Sequence, residues 1–309
     1  MLKDYKAGER FEGIVLVNEW KEVSFRQKPG AYLSLMCQDS SGMIQGKMWN
    51  YDPKVLGWLN DQDVFRVKGV VSEYRGALDL TIETIRMIPQ DEVDLSDLLP
   101  CSPVTSKELE NRLKSILDKV TQPELKALLD QFFSHPVWGP AYRQAPAAMK
   151  IHQAYLRGLW EHSVRVAEIA EGIASHYPNM DRDLVITGAL LHDVGKIGEY
   201  SYTRGIKFTT EGRLLGHIIL GIELLTDEIA KIPDFSRELR SKLLHIITSH
   251  HGKYEWQSPK RPKLMEALAI HYADAMDAEL FHFDQAKENH PDDEWSPYIP
   301  IMERCLYLK

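Results

Sequence analysis

Seven side chains in the C-terminal half of this 309-residue chain can donate nitrogen or oxygen to a metal ion: His162, the adjacent pair His192-Asp193, His217, the adjacent pair His250-His251, and Asp274. Neutral imidazole nitrogens and carboxylate oxygens suit Mn, Fe, Co, Ni or Zn, whereas the same groups buried without partners are costly. A lone His on an apolar face is more often a hydrogen-bonded core residue than a ligand, and one His-Asp dipeptide means little by itself. Here five separate segments with helical periodicity each supply an inward His or Asp. That conjunction points to one shared metal centre.

Those segments must be helices for the residues to converge. Thr105 with Glu108 forms a capping box that opens a first helix, and Thr121 with Glu124 opens a second. From His152 to His176, the residues Tyr155, Leu159, His162, Val166, Ile169 and Ile173 recur at spacings of three and four, which turns His162 inward with the core. A helix from about Asp183 stacks Val185, Ala189, His192 and Lys196 along one side, with Asp193 at its C-terminal end. Residues 198–212 (EYSYTRGIKFTTEGR) mix polarities around Gly205 and read as a loop or short hairpin beside the site. His217 sits in the helix GHIILG, His250 and His251 close SRELRSKLLHIITSHHG, and Asp274 lies midway along PKLMEALAIHYADAMDAELF.

The first ninety residues carry a different pattern. RFEGIVLVNEW, AYLSLMCQD, MIQGKMWN, DVFRVKGVVSEY and LDLTIETIRMI read as strands, separated by turn residues at Lys28-Pro29-Gly30, at Asp39 to Gly42 and around Gly76. Five strands in this length predict a small closed barrel of the oligonucleotide/oligosaccharide-binding (OB) type. Trp20, Phe25, Tyr32, Trp49 and Tyr74 interleave with Lys21, Arg26, Lys47, Arg66, Lys68 and Arg75. On a single-strand-binding barrel the rings stack on bases and the cations follow phosphates. The competing reading puts most of these aromatics in the barrel core. Residues 88–104, with three prolines and several acids, read as a connection. The expected organisation is a barrel domain over residues 1–90, a linker over 91–104 and an all-α domain over 105–309.

Composition narrows the function classes. With 44% hydrophobic and 27% charged residues the chain has the make-up of a soluble globular protein. It shows no apolar run near the length needed to span a bilayer, and MLKDYKAGERFEG resembles neither a signal peptide nor a lipidation site. A cytoplasmic location without membrane association is the expectation. Cys37, Cys101 and Cys305 are odd in number and lack CxxC spacing, so nitrogen and oxygen rather than thiolate should hold any metal. The formal net charge of −8 argues against bulk electrostatic attraction to nucleic acid. Residues 1–90, however, hold 12 Lys+Arg and 12 Asp+Glu, so any nucleic-acid contact belongs to that neutral part and to local basic patches. Trp295, Tyr298, Ile299, Ile301 and Met302 form an apolar stretch that can cover the helical core or meet a second subunit of a homo-oligomer.

The ordered motifs HQAYLRGLWEH (152–162), LHDVGK (191–196), TEGRLLGH (210–217), SHHG (249–252) and Ala273-Asp274 resemble the HD-domain metal-dependent phosphohydrolases, named for their His-Asp pair. Within that superfamily the chain is similar over nearly its whole length to the YhaM group of bacterial 3′-to-5′ exoribonucleases, which join an OB-fold domain to an HD domain. Gln153 and Arg157 depart from the group's pattern, standing where it has a second His and a second Gly. The resemblance implies one divalent ion held by His162, His192, Asp193 and Asp274, and a second held by His217, His250 and His251, with Asp193 bridging. It implies Mn²⁺ first, with Co²⁺, Fe²⁺, Ni²⁺ and Zn²⁺ also compatible with such ligands. The activity implied is hydrolysis of single-stranded RNA, or single-stranded DNA, by a water nucleophile activated between two ions. Asp193 and Lys196 are then the catalytic candidates, Lys196 as a point cation for a phosphoryl oxygen or else a solvated last-turn lysine. His152, His271 and Asp277 are weaker candidates, His152 and Tyr155 for substrate contact and His271 as a supporting or core residue. Two other readings stay open: a phosphohydrolase of free or cyclic nucleotides with a regulatory barrel, and a non-catalytic single-strand-binding protein.

Overall fold

Alternating apolar residues in the N-terminal part fold into β1 (Arg10–Ser24), β2 (Ala31–Asp39), β3 (Gly42–Met48), β4 (Val64–Tyr74) and β5 (Ala77–Met87). The computed structural model describes residues 1–25, 28–74, 77–89, 93–149, 153–202 and 205–309. The five strands close into a barrel in the order β1-β2-β3-β5-β4, as expected for an OB-type fold. β3 runs parallel to β5 and the other pairs are antiparallel. Closure leaves no unpaired sheet edge, and it turns Val15, Leu33, Leu35, Phe65, Val67 and Leu80 into one core. A bulge between Val17 and Glu19 shifts the register of β1 against β2.

One element of the barrel is absent from the sequence reading. Helix α1 (Lys54–Asp61) lies between β3 and β4 and sets Val55 and Leu59 into the barrel core. At eight residues it is too short to display a helical period. Residues 93–101 also belong to this unit rather than forming a tether, with Leu98 and Leu99 buried and the Ser40 amide donating to Asp97.

The remainder is helical. It contains α2 (Ser106–Leu117), α3 (Pro123–Ser134), α4 (Trp138–Gln144), α5 (Gly158–Ala174), α6 (Arg182–Leu191), α7 (Lys196–Glu199), α8 (Thr210–Ala230), α9 (Arg237–Ser249) and α10 (Met265–Asn289). A two-stranded hairpin of β6 (Tyr200–Ser201) and β7 (Lys207–Phe208) sits between α7 and α8. Two compact units emerge, Met1–Cys101 with Ser201–Lys207, and Ser102–Tyr200 with Phe208–Lys309. Among the described residues no helix is long and apolar enough to cross a membrane.

Local chemistry explains most boundaries. The Thr105 side chain accepts from the Glu108 amide and opens α2, as its sequence predicts. Thr121 does not cap α3. Its amide and hydroxyl donate to Asp183, and Pro123 at the first helical position moves the cap to Gln122. α5 begins at Gly158, later than the His152 start expected from periodicity, and buries Leu159, His162, Val166, Ala167 and Ala170. Ile169 and Ile173, counted on that face, are only half-buried. α6 is apolar on every side from Leu184 to Leu191 and is buried throughout, which makes it a central helix packed by α5, α9 and α10. It ends at Leu191, so His192 is its C-terminal cap and Lys196 opens the separate short helix α7 rather than continuing the same face.

Candidate metal centre

α5 brings His162, the α6–α7 turn His192 and Asp193, α8 His217, the end of α9 His250 and His251, and α10 Asp274. The structure brings all seven predicted ligands together. Donor atoms of His162, His192 and Asp193 fall within 4.8 Å of one another, and so do those of His217, His250 and His251. Asp193 joins the two groups. Its Oδ2 lies 3.6 Å from His162 Nε2 and 3.4 Å from His192 Nε2, while its Oδ1 lies 3.5 Å from both His217 Nε2 and His250 Nε2. Asp274 Oδ1 completes the first group at 3.2 Å from His162 Nε2 and 3.9 Å from His192 Nε2.

Two glycines permit this convergence. A Cβ on Gly195 would stand 1.9 Å from the carbonyl oxygen of His217, so only glycine lets the His192–Lys196 turn meet α8. Gly216 has φ 73° and ψ 161°, a kink inside α8 immediately before His217 that a side chain would strain.

The far nitrogen of each imidazole is tied down. Nδ1 of His192 donates to the Ala189 carbonyl at 2.7 Å, that of His250 to Ile247 at 2.8 Å and that of His251 to Trp256 at 2.9 Å. Carboxylates do the same for the other two, Asp277 holding His162 Nδ1 at 2.7 Å and Glu199 facing His217 Nδ1 at 3.3 Å. A carbonyl accepts only from N–H, which fixes the proton on Nδ1 and presents Nε2 as a lone pair. The buried Nε2 atoms of His192, His217 and His250, together with Asp193 Oδ1, have no hydrogen-bond partner among the described residues. Buried lone pairs gathered on either side of Asp193, 3.4–3.9 Å from a carboxylate, fit ligands sharing ions at roughly 2.0–2.2 Å.

Electrostatics agree with that donor set. Burial opposes ionisation of Asp193, but Lys196 and His192 hold its carboxyl well below the usual range. Burial pushes His250 down to about 4, so its imidazole is neutral at physiological pH. Burial also opposes charging of His162, yet Asp274 and Asp277 on its two nitrogens outweigh it and push it up to about 10. Burial raises the Glu199 carboxyl, and the hydrogen bonds from His217 lower it further than burial raises it.

The other predicted residues divide. Lys196 is buried, with Nζ 2.6 Å from Asp193 Oδ2 and its side chain on the wall of the adjoining cavity. The Tyr155 hydroxyl donates to Glu161 at 2.8 Å. His152, Arg26 and Arg75 lie outside the described residues. In the barrel unit, Lys21 pairs in register with Ser34, and Ser34 with Lys47, which forms an ion pair with Asp79. Arg66 and Lys68 lie on β4 instead, opposite Ile14 and Glu12 of β1, with Lys68 Nζ 2.7 Å from Glu12. Among the described residues, the predicted cations therefore do not form a single track. Phe25, Tyr32 and Trp49 cluster near the β1–β2–β3 side, with centroids 4.7–6.2 Å apart, and the planes of Phe25 and Trp49 lie within 11° of parallel. Trp49 is 44% exposed and Lys28 Nζ stands 4.4 Å from the Phe25 centroid, whereas Trp20 packs on the barrel core.

Sequence reasoning missed Glu199 and Trp256, and named Asp277 only as a weak candidate without a role. Asp277 falls one turn after Asp274 on the same helix, a spacing that could have promoted it. Glu199 and Trp256 carry no comparable signal, because the Gly216 kink and the turn after α9 bring them in.

A family model described as "HD domain" matches residues 159–279, a span that includes all seven ligand candidates. Among solved structures, the chain is similar to the HD domain of the L. monocytogenes phosphodiesterase PgpH. The identity is 20%, over 52% of this chain and 74% of that one, with a TM-score of 0.28. It is also similar to asparaginyl-tRNA synthetase from Pyrococcus horikoshii, at 12% identity over 97% of this chain and 76% of that one, with a TM-score of 0.22. This chain thus carries an HD domain over residues 159–279.

Proposed function

We propose that this protein is a two-metal phosphodiesterase that removes nucleotides from the 3′ end of single-stranded RNA as nucleoside 5′-monophosphates. The observation that carries the hydrolytic part is the Asp193 carboxylate, one oxygen facing His162 and His192 and the other facing His217 and His250. His162, His192, Asp193 and Asp274 would hold one ion, and His217, His250, His251 and Asp193 the other. When bound, such ions supply Lewis acidity to a phosphoryl group and lower the pKa of water. Mn²⁺ is the ion of choice on the resemblance to the YhaM group.

The chain's own residues do the rest. Asp277, Glu199 and three backbone carbonyls keep the five imidazoles in the tautomer and direction that ligation needs. Lys196 offsets the Asp193 charge and supplies a cation at the wall of the cavity where a phosphate would enter. In the barrel, the half-exposed rings of Phe25, Tyr32 and Trp49 support stacking on unpaired bases, at roughly 1–3 kcal/mol per base. The 3′-to-5′ direction and the preference for RNA rest on the resemblance.

The test uses metal-stripped protein with Mn²⁺ restored, a 5′-labelled single-stranded RNA, a 3′-blocked control, and a panel of free and cyclic nucleotides. A descending ladder that vanishes with the block is the expected result. Turnover of a small nucleotide with intact RNA would replace the substrate and keep the metal centre. Silence on both would leave a binding protein.

A further inference from the structure

A cavity of about 570 Å³ opens beside the ligand cluster, within the helical unit, and falls in the size range of small-molecule sites. Asp193, Lys196, His251 and Asp274 line it where it meets the cluster. Beyond them its wall follows α10 through Ala275, Ala278 and His282, receding from Asp274 by roughly 1.5 Å per residue. Glu279 of α10 and His271 also line it, and Trp256 with Ile301 and Met302 of the C-terminal segment adds an apolar part of the wall. The cavity thus joins a charged region suited to phosphate with an apolar region suited to a flat ring.

Trp256 is the notable member. Its residue is 51% exposed, so the core does not require the ring. Its carbonyl oxygen accepts from His251 Nδ1 at 2.9 Å, which ties the position of this residue to the ligand cluster. Lys253 Nζ lies 4.2 Å from the ring centroid and the His271 ring 6.0 Å away, so the indole is held in place while half of it stays open. An indole with an open surface offers a stacking partner to any nucleobase.

We propose that this cavity is a nucleotide subsite, in which Trp256 stacks on the base of the nucleotide whose phosphate reaches the ligand cluster. The inference rests on the phosphodiesterase reading above and adds the element that selects a nucleotide over a bare phosphoester. Ile301 and Met302 give the base further apolar contact, while Lys196 meets the phosphate. The ligand class is a nucleoside 5′-monophosphate, either free or as the terminal unit of a strand. Stacking is tolerant of base identity, so purines and pyrimidines are both accepted.

Calorimetric titration of the Mn²⁺-loaded full chain with AMP, UMP, ribose 5-phosphate and inorganic phosphate tests this. Both nucleotides should bind on the order of tenfold more tightly than ribose 5-phosphate. Trp256→Ala should abolish that gap and leave inorganic phosphate unchanged, and Trp256→Phe should restore most of it. Equal affinities for nucleotide and ribose 5-phosphate, or a gap that survives Trp256→Ala, would overturn the subsite, as would failure of every probe to bind. An intact gap in a protein that leaves RNA untouched would sink the exoribonuclease reading alone. An RNA ladder without a gap would sink the subsite alone.

Discussion

A buried histidine becomes a metal ligand through what its other nitrogen holds. Backbone carbonyls hold His192, His250 and His251, which sets tautomer and direction without adding charge. His162 differs, because Asp277 Oδ2 accepts from its Nδ1 at 2.7 Å and from Gln153 Nε2 at 2.9 Å. An anionic partner makes the imidazole a stronger donor at Nε2. Asp277→Asn retains an acceptor and removes the charge. Its Mn²⁺ affinity should fall by roughly 10–100-fold while the fold persists. A chelator-competition titration measures this, and an unchanged affinity would mean that Asp277 serves only the packing of α10. Asp193 is the one residue shared by both groups, so Asp193→Ala should lower bound metal at both sites and abolish hydrolysis. Metal analysis beside the RNA assay would show it, and full metal occupancy in that variant would contradict the bridging role.

At the scale of elements, the chain's reading was good where a local rule repeats often enough to be counted. The strands of the barrel, the Thr105 cap, the hairpin between α7 and α8, and the inward turn of His162 were legible because alternation, capping chemistry and a helical period act within a few residues. The short helix α1, the cap at Gln122 and the break of α6 at Leu191 were not, since each depends on distant partners or on a segment too short to show a period. The start of α5 was misplaced for an instructive reason. Its cap, Arg157, has φ 67°, and Gln153 has φ 45°, both in the left-handed region. A position departing from the resembled group's glycine is therefore one where glycine is the unstrained residue, at about 1–2 kcal/mol for a residue with a Cβ. Arg157 recovers part of this through a 2.7 Å hydrogen bond from Nη1 to Ser106 Oγ. Comparing Arg157→Gly with Arg157→Ala isolates the backbone, since both lose that bond. Glycine should be the more stable by about 1 kcal/mol in urea unfolding, the reverse of the order inside a helix. Alanine matching or exceeding glycine would show that the left-handed cap costs nothing.

For the whole molecule, the −8 net charge leaves the N-terminal ninety residues neutral, so the proposed hold on RNA relies on rings more than on counterion release. The centre itself couples metal, protons and stability. In the metal-free protein His162 is pushed up to about 10, above the unfolded value near 6.5. Its contribution to stability is therefore complete below about pH 6.5 and is lost as pH rises through about 10. His250 is pushed down to about 4, so its contribution is present above about 6.5 and is lost as pH falls toward 4. Together they place the stability maximum from this pair near pH 6.5, with the acid side steepened by carboxylates such as Asp193 and Glu199 that are held below their ordinary range. An ion at Nε2 of His162 must displace the proton carried there. Mn²⁺ loading should consequently remove the alkaline decline due to His162 and release about one proton per protein at pH 8. Between about pH 7 and 9, affinity at that site should rise roughly tenfold per pH unit. Titration in two buffers of different ionisation enthalpy reads the proton count, and thermal unfolding from pH 6 to 10 with and without Mn²⁺ reads the stability. Metal binding without proton release at pH 8 would show that His162 is already neutral in the free protein, and with it the alkaline limb of the stability curve would disappear.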